Sequence, residues 1–164
     1  MLVEATHRRV LVATAPRAAK RIRGLFANRD LEMDFFTAYP QALSALSRSH
    51  YSAAIVGLHF AESHMFEFIR DAKALQPNLH VICVKGEPGR LGTSARPTVD
   101  AALAVMGIEG MVDLTLEWLS RRDEDTLHRF TQRLGGSTRW PFERRDPANA
   151  ARRASYSGRH HGHM

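Results

Sequence analysis

Apolar residues fall along this chain in five short runs, and between and after those runs they recur every three or four positions. Arg9-Val-Leu-Val-Ala-Thr14 is rich in β-branched residues and predicts a buried strand. Pro16 opens a helix, where its missing N–H costs little. Ala18, Ala19, Ile22, Leu25 and Phe26 line one side of that helix, while Arg17, Lys20, Arg21 and Arg23 turn outward. Residues 31–37 alternate and predict a second strand. Pro40 opens a short helix through Ala42, Leu43 and Leu46. The run from Tyr51 to Leu58 predicts a third strand. A helix follows from about Glu62 to Leu75, with Met65, Phe66, Phe68, Ile69, Ala72 and Leu75 as its apolar side. Ser63 or the preceding turn caps it, and Pro77-Asn78 stops it. Leu79 to Val84 is the fourth strand. Gly86 to Pro97, dense in Gly and Pro, is a loop. Thr98 caps a helix that reaches Met106 and ends at Gly107. Residues 108–112 form a fifth strand, and Leu114 to about Leu134 is helical, in one or two pieces.

Strict alternation of strand and helix predicts a parallel sheet with helices on both faces. Five strands and five helices in this length match a flavodoxin-like (βα)5, doubly wound α/β layout. Residues 135–164 hold few large apolar side chains beyond Trp140, Phe142 and Tyr156, and are expected to be disordered.

Charge divides along the same line. The 164 residues carry a net +6. Arg139, Arg144, Arg145, Arg152, Arg153 and Arg159, set against Glu143 and Asp146, give the tail +4 of that total. The remainder is close to neutral, so the high overall pI does not argue that the folded part binds nucleic acid. One cysteine, Cys83, excludes an internal disulfide and suits a reducing cytoplasm. Its apolar surroundings point to an inert core thiol. The first residues lack the apolar stretch of a secretory leader, and no apolar run is long enough to span a bilayer.

Three phrases carry a family resemblance: Arg8-Arg-Val-Leu-Val-Ala13, Tyr51-Ser-Ala-Ala-Ile-Val56, and Ala101 to Val112. Over roughly residues 8–122 the chain resembles the response-regulator receiver (CheY-like) domain. The resemblance implies an opening strand followed by two metal-holding acids, and a third strand ending in the aspartate that accepts a phosphoryl group. It also implies a Ser or Thr after the fourth strand and a Lys-Pro after the fifth. Here the two acids fall on Thr14 and Ala15, the acceptor on Gly57, the Ser/Thr on or near Lys85, and Lys-Pro on Leu114-Thr115. A hard cation needs carboxylate oxygens, and neither Thr14 nor Ala15 has one. The resemblance thus implies a degenerate pseudo-receiver with no metal, no cofactor and no phosphoryl chemistry.

Other residues are candidate sites. His59, Glu62 and His64 follow the third strand, where open parallel sheets bind ligands, but their spacing matches no specific metal signature. Lys85-Gly-Glu-Pro-Gly-Arg90 holds glycines and two cations, yet it lacks the phosphate-loop pattern and Glu87 opposes an anion. No nucleophile is matched with a base, so an enzyme is not expected.

The resulting expectation is a cytoplasmic, bacterial-type signalling module that recognises a partner protein without phosphorylation. Residues 1–122 make the receiver-like domain, 123–134 a helical extension and 135–164 the basic tail. The resemblance places the common dimer and output face at about 98–122, here extended by 123–134. Val105, Met111, Trp118, Leu127, Phe130 and Leu134 are its apolar residues. Because the extension adds an amphipathic stripe to a finished domain, it needs a surface to cover, either its own domain or a second chain, and a homodimer through it is expected. The rivals are an anion- or ligand-sensing domain that uses the strand-end loops, and a nucleic-acid accessory that uses the arginine tail.

Overall fold

Strand β1, Arg8–Ala13, lies inside the sheet, and the rest of the architecture is arranged on it. The computed structural model describes residues 8–26, 31–61, 64–86, 95–108, 110–115 and 120–134. After β1 come α1 (Pro16–Phe26), β2 (Leu31–Phe36), α2 (Tyr39–Arg48), β3 (Ala53–Gly57) and α3 (Met65–Leu75). β4 (His80–Lys85), α4 (Ala95–Val105), β5 (Met111–Asp113) and α5 (Arg121–Arg133) complete the order. All strand pairs are parallel, in the order β2-β1-β3-β4-β5. This is the flavodoxin-like fold expected from the alternation.

Alternate residues of each inner strand feed opposite layers, as the two-residue period of a strand requires. Leu11, Ala13, Ala54, Val56, Val81 and Cys83 pack under α2, α3 and α4. Val10, Val12, Ala53, Ile55, Ile82 and Val84 pack under α1 and α5. Two-sided burial explains why these strands read as continuous apolar runs. α4 begins three residues earlier than the spacing predicts, which puts Pro97 in its first turn, where backbone N–H groups lack helical partners anyway. Gly107, at φ +74°, ends it as expected. No helix among the described residues is long and apolar enough to cross a membrane.

The C-terminal helix differs from the expectation. Leu114 and Thr115 are not helical. Ser120 caps α5, its hydroxyl accepting from Asp123 N–H at 3.1 Å, so Arg121–Asp125 is the first turn of a new helix rather than a polar break in a long one. Acids in that turn suit the positive end of the helix dipole. The boundary drawn at 122 therefore cuts the fifth helix of the fold after its second residue. Leu127, Phe130 and Leu134, expected to face another chain, are buried against the sheet with Ile82, Val84 and Val112. The expected homodimer loses its basis, because the stripe covers its own domain. Met111 is likewise a core residue.

Crossed ion pairs tie α4 to α5. Arg96 donates to the carboxylate of Asp123 at 2.7 Å and to the Met111 carbonyl at 3.2 Å. Arg122 donates to Asp100 at 2.7 Å. Asp123 is fully buried, and its second oxygen has no partner among the described residues. Such a pair adds little over an apolar substitute, but losing one member strands the other charge. On the opposite side of the sheet order, two tyrosines bond to acids. Tyr39 donates to Asp71 at 2.6 Å and Tyr51 to Asp34 at 2.8 Å. Desolvation first, then the neighbouring carboxylate, pushes each phenol up to about 12.

Three outcomes follow. Phe130→Ala should cost about 3–5 kcal/mol in denaturant unfolding, as a large-to-small change in a closed core. Arg96→Ala should cost about 3 kcal/mol, while Arg96→Leu with Asp123→Leu should recover most of it; the double-mutant cycle measures the coupling. The tyrosines hold their protons more firmly folded than unfolded. Their contribution is complete below pH 10 and is lost as pH rises from 10 toward about 12. Unfolding midpoints across that window should fall less steeply in the Tyr39→Phe, Tyr51→Phe variant.

Candidate functional site

The carboxyl ends of β1, β3, β4 and β5 lie side by side, the place where open parallel sheets bind ligands. Gly57 is the last residue of β3, and Thr14 directly follows β1. Thr14 continues the ladder, its N–H donating to Phe36 O at 3.1 Å. Its side chain is buried, and its hydroxyl has no partner among the described residues. A Cβ added at Gly57 would meet that hydroxyl at 2.7 Å and the Thr14 Cα at 3.3 Å. The glycine therefore suits its neighbour: the threonine fills the room a side chain would need. Ala15 is half-buried and uses its carbonyl to accept from Ala18 N–H at 3.1 Å. A second close approach closes the neighbouring gap. A Cβ at Gly86 would collide with the Ala18 side chain and lie 3.1 Å from its Cα, so the first turn of α1 sits against the end of β4.

Lys85 ends β4 in register with Asp113, which ends β5. Lys85 is only 2% exposed, and its ammonium lies 3.3 Å from the Thr115 hydroxyl. That hydroxyl donates to Asp113, which also accepts from Thr115 N–H at 2.8 Å. Leu114 N–H donates to Lys85 O at 2.8 Å, fastening the turn after β5 to the end of β4. A cation thus ends the fourth strand and a hydroxyl follows the fifth, the reverse of the residue types that the receiver resemblance implies. Thr115 stands at the Lys-Pro position read from the sequence, whereas Asp113 is not singled out there. The signal available was the pairing of a basic and an acidic residue at the ends of adjacent strands.

The other candidates are dispersed. His64 stands before α3 and lies 3.3 Å from Glu67. His59 lies in the turn after β3, and Glu62 is outside the described residues. Among the described residues no three His, Cys, Asp or Glu side chains are grouped to hold a metal. The turn after β3 is anchored by Phe60, which is fully buried and packs edge-on against Phe68 at 5.0 Å between ring centres. Gly86 is described, but Glu87 to Arg90 are not. Cys83 is fully buried, and burial pushes its thiol pKa up, away from the reactive thiolate. Of the expected output face, Val105 is 90% exposed on α4. Met111, Leu127, Phe130 and Leu134 are core residues, and Trp118 and the basic tail lie outside the described residues.

No protein-family model matches the chain, and no curated protein matches it. Solved structures do. A response-regulator receiver domain (CheY-like) from Methanospirillum hungatei JF-1 is 16% identical with a TM-score of 0.56; the match covers 79% of this chain and 95% of that one. The signal receiver domain of an HD domain-containing protein from Pseudomonas fluorescens Pf-5 is 17% identical with a TM-score of 0.58, covering 79% and 87%. A structure described as adenylate cyclase from Rhodopirellula baltica is 15% identical with a TM-score of 0.58, covering 79% and 87%. At such identities the likeness is one of fold, and by fold this chain is similar to receiver domains.

Proposed function

We propose that this protein is a receiver-like signalling module that recognises a partner protein without a phosphorylation switch. The observation that carries this reading is the filled acceptor position, with Thr14 packed where a side chain at Gly57 would start. Thr14 and Ala15 bring no carboxylate for a metal. The cation and hydroxyl that would clamp a phosphoryl group in the resemblance stand on exchanged strands, and the Thr115 hydroxyl between them is already bonded to Asp113. The module acts by binding and not by catalysis, in a pathway of the two-component type. Val105, exposed on α4, is the described residue of the expected output face that a partner can touch.

The test is phosphorylation itself. Incubation with acetyl phosphate, or with beryllium fluoride, in the presence of Mg²⁺ should leave the intact mass and the amide NMR spectrum unchanged. Gly57→Asp should remain unphosphorylated and lose about 1–3 kcal/mol, the cost of forcing side-chain atoms into a filled site. A stoichiometric, acid-labile phosphoryl adduct on the wild-type chain would overturn the reading.

A further inference from the structure

Among the described strands β2 ends the sheet and pairs only with β1. An edge strand carries backbone N–H and C=O groups that point outward without a strand partner, and proteins either block such an edge or use it. Along β2 runs an open groove of about 910 Å³, bounded by α2 on one side and reaching Arg23 of α1 on the other. Its wall is half-buried apolar surface from Met33, Phe35 and Phe36.

The charges along the groove are of two kinds. Asp34 is occupied internally. It accepts from Arg9 at 2.7 Å and from the Tyr51 hydroxyl at 2.8 Å, and Arg9 also lies over the Tyr51 ring, 5.1 Å from its centre. Glu32 is exposed beside Arg9 at 3.9 Å and does not line the groove. Arg23 and Arg48 form the rim, and neither has an acidic partner among the described residues. Arg23 lies over the Phe35 ring, its guanidinium carbon 4.1 Å from the ring centre. Arg48 is held by the Ser44 carbonyl at 3.3 Å and hydroxyl at 2.6 Å. The two guanidinium groups are thus positioned on either side of a strand edge that, among the described residues, has no partner, with no carboxylate of those residues paired to them.

We infer that this groove is a docking site for an extended, acidic peptide segment of another protein, which adds a strand to β2 and sets carboxylates against Arg23 and Arg48. The backbone of β2 supplies the hydrogen bonds and the arginines supply the selection. Charge decides among occupants. The chain's own C-terminal segment brings six arginines against two acids and meets like charge here. A second copy pairing edge to edge would place the same arginine rim against itself. A nucleic acid would satisfy the arginines but leave the strand edge unpaired. The groove lies away from Gly57, so this inference stands whether or not the chain is phosphorylated.

A fluorescent peptide of alternating Glu and Val, about eight residues long to span the strand, tests it on the full chain. Fluorescence polarisation should show binding that weakens with salt. Amide shifts should concentrate in Leu31–Phe36 and in α2. Arg23→Glu with Arg48→Glu should weaken binding by about tenfold, and Arg23→Gln with Arg48→Gln by less, with circular dichroism unchanged. The same peptide N-methylated on alternate residues should lose binding. The inference fails if the peptide does not bind, if the arginine variants bind it equally, or if the shifts fall elsewhere. It fails also if the N-methylated peptide binds as well, if a short oligothymidine displaces the peptide more tightly than the peptide binds, or if sedimentation shows β2 occupied by a second copy.

Discussion

β3 is buried on both faces along its whole length, and the remaining structure follows from that. Its five residues each expose essentially nothing, and only Ile55 and Val56 among them are large. A strand covered on both sides needs a helical layer on each, and a parallel strand needs a crossover long enough to supply one. The small residues Ala53, Ala54 and Gly57 let those layers and the neighbouring strands approach closely. At the carboxyl end this approach is at its limit: the room beside Gly57 belongs to Thr14. Here the chain continues the packing of its core to the last residue of the strand.

The same end of the sheet shows how polar groups are handled once the cleft is filled. Lys85 is buried, a costly place for an ammonium, and it is set beside a hydroxyl that is itself bonded to Asp113. The chain of bonds closes the turn after β5 onto β4. The α4–α5 clasp works alike, with Asp123 buried and met by Arg96. Both are arrangements in which one geometry satisfies the charges and others leave a buried charge exposed to penalty. They favour a single conformation of the face formed by α4, β5 and α5, since breaking either one takes a partner from a buried charge.

How far the chain could be read beforehand depended on the range of the interaction. The strands were legible, since two-sided burial writes continuous apolar runs such as Val81–Val84. Gly107 marked the end of α4 because a left-handed position favours glycine. The fifth helix was misplaced because Arg121–Asp125 is as polar as a loop, and its role as a capped first turn appears only when Ser120 is seen accepting from Asp123. At the strand ends, Thr14, Ala15, Gly57 and Lys85 stood out only against the receiver resemblance, with no indication of what they touch. That Thr14 occupies the space of Gly57 depends on the β1–β3 register, in which Ala13 pairs with Val56. That Lys85 and Thr115 exchange places depends on β4 and β5 lying side by side. Neither is written in local spacing.

On the proposed reading, a module without a chemical switch has a different logic of control. A ligand shifts an equilibrium only through its differential affinity for two states. With no phosphoryl group to supply that difference, occupancy by the proposed partner would be set by concentration and by electrostatics. The folded part is nearly neutral in total but uneven in placement: α1 has Arg17, Lys20, Arg21 and Arg23 and no acid, and Arg48 stands across β2 from it. Such a surface steers acidic partners toward one edge at a rate that ionic strength controls. On the proposed docking, selectivity would reside in the standing charge of that surface, as a fixed property of the fold.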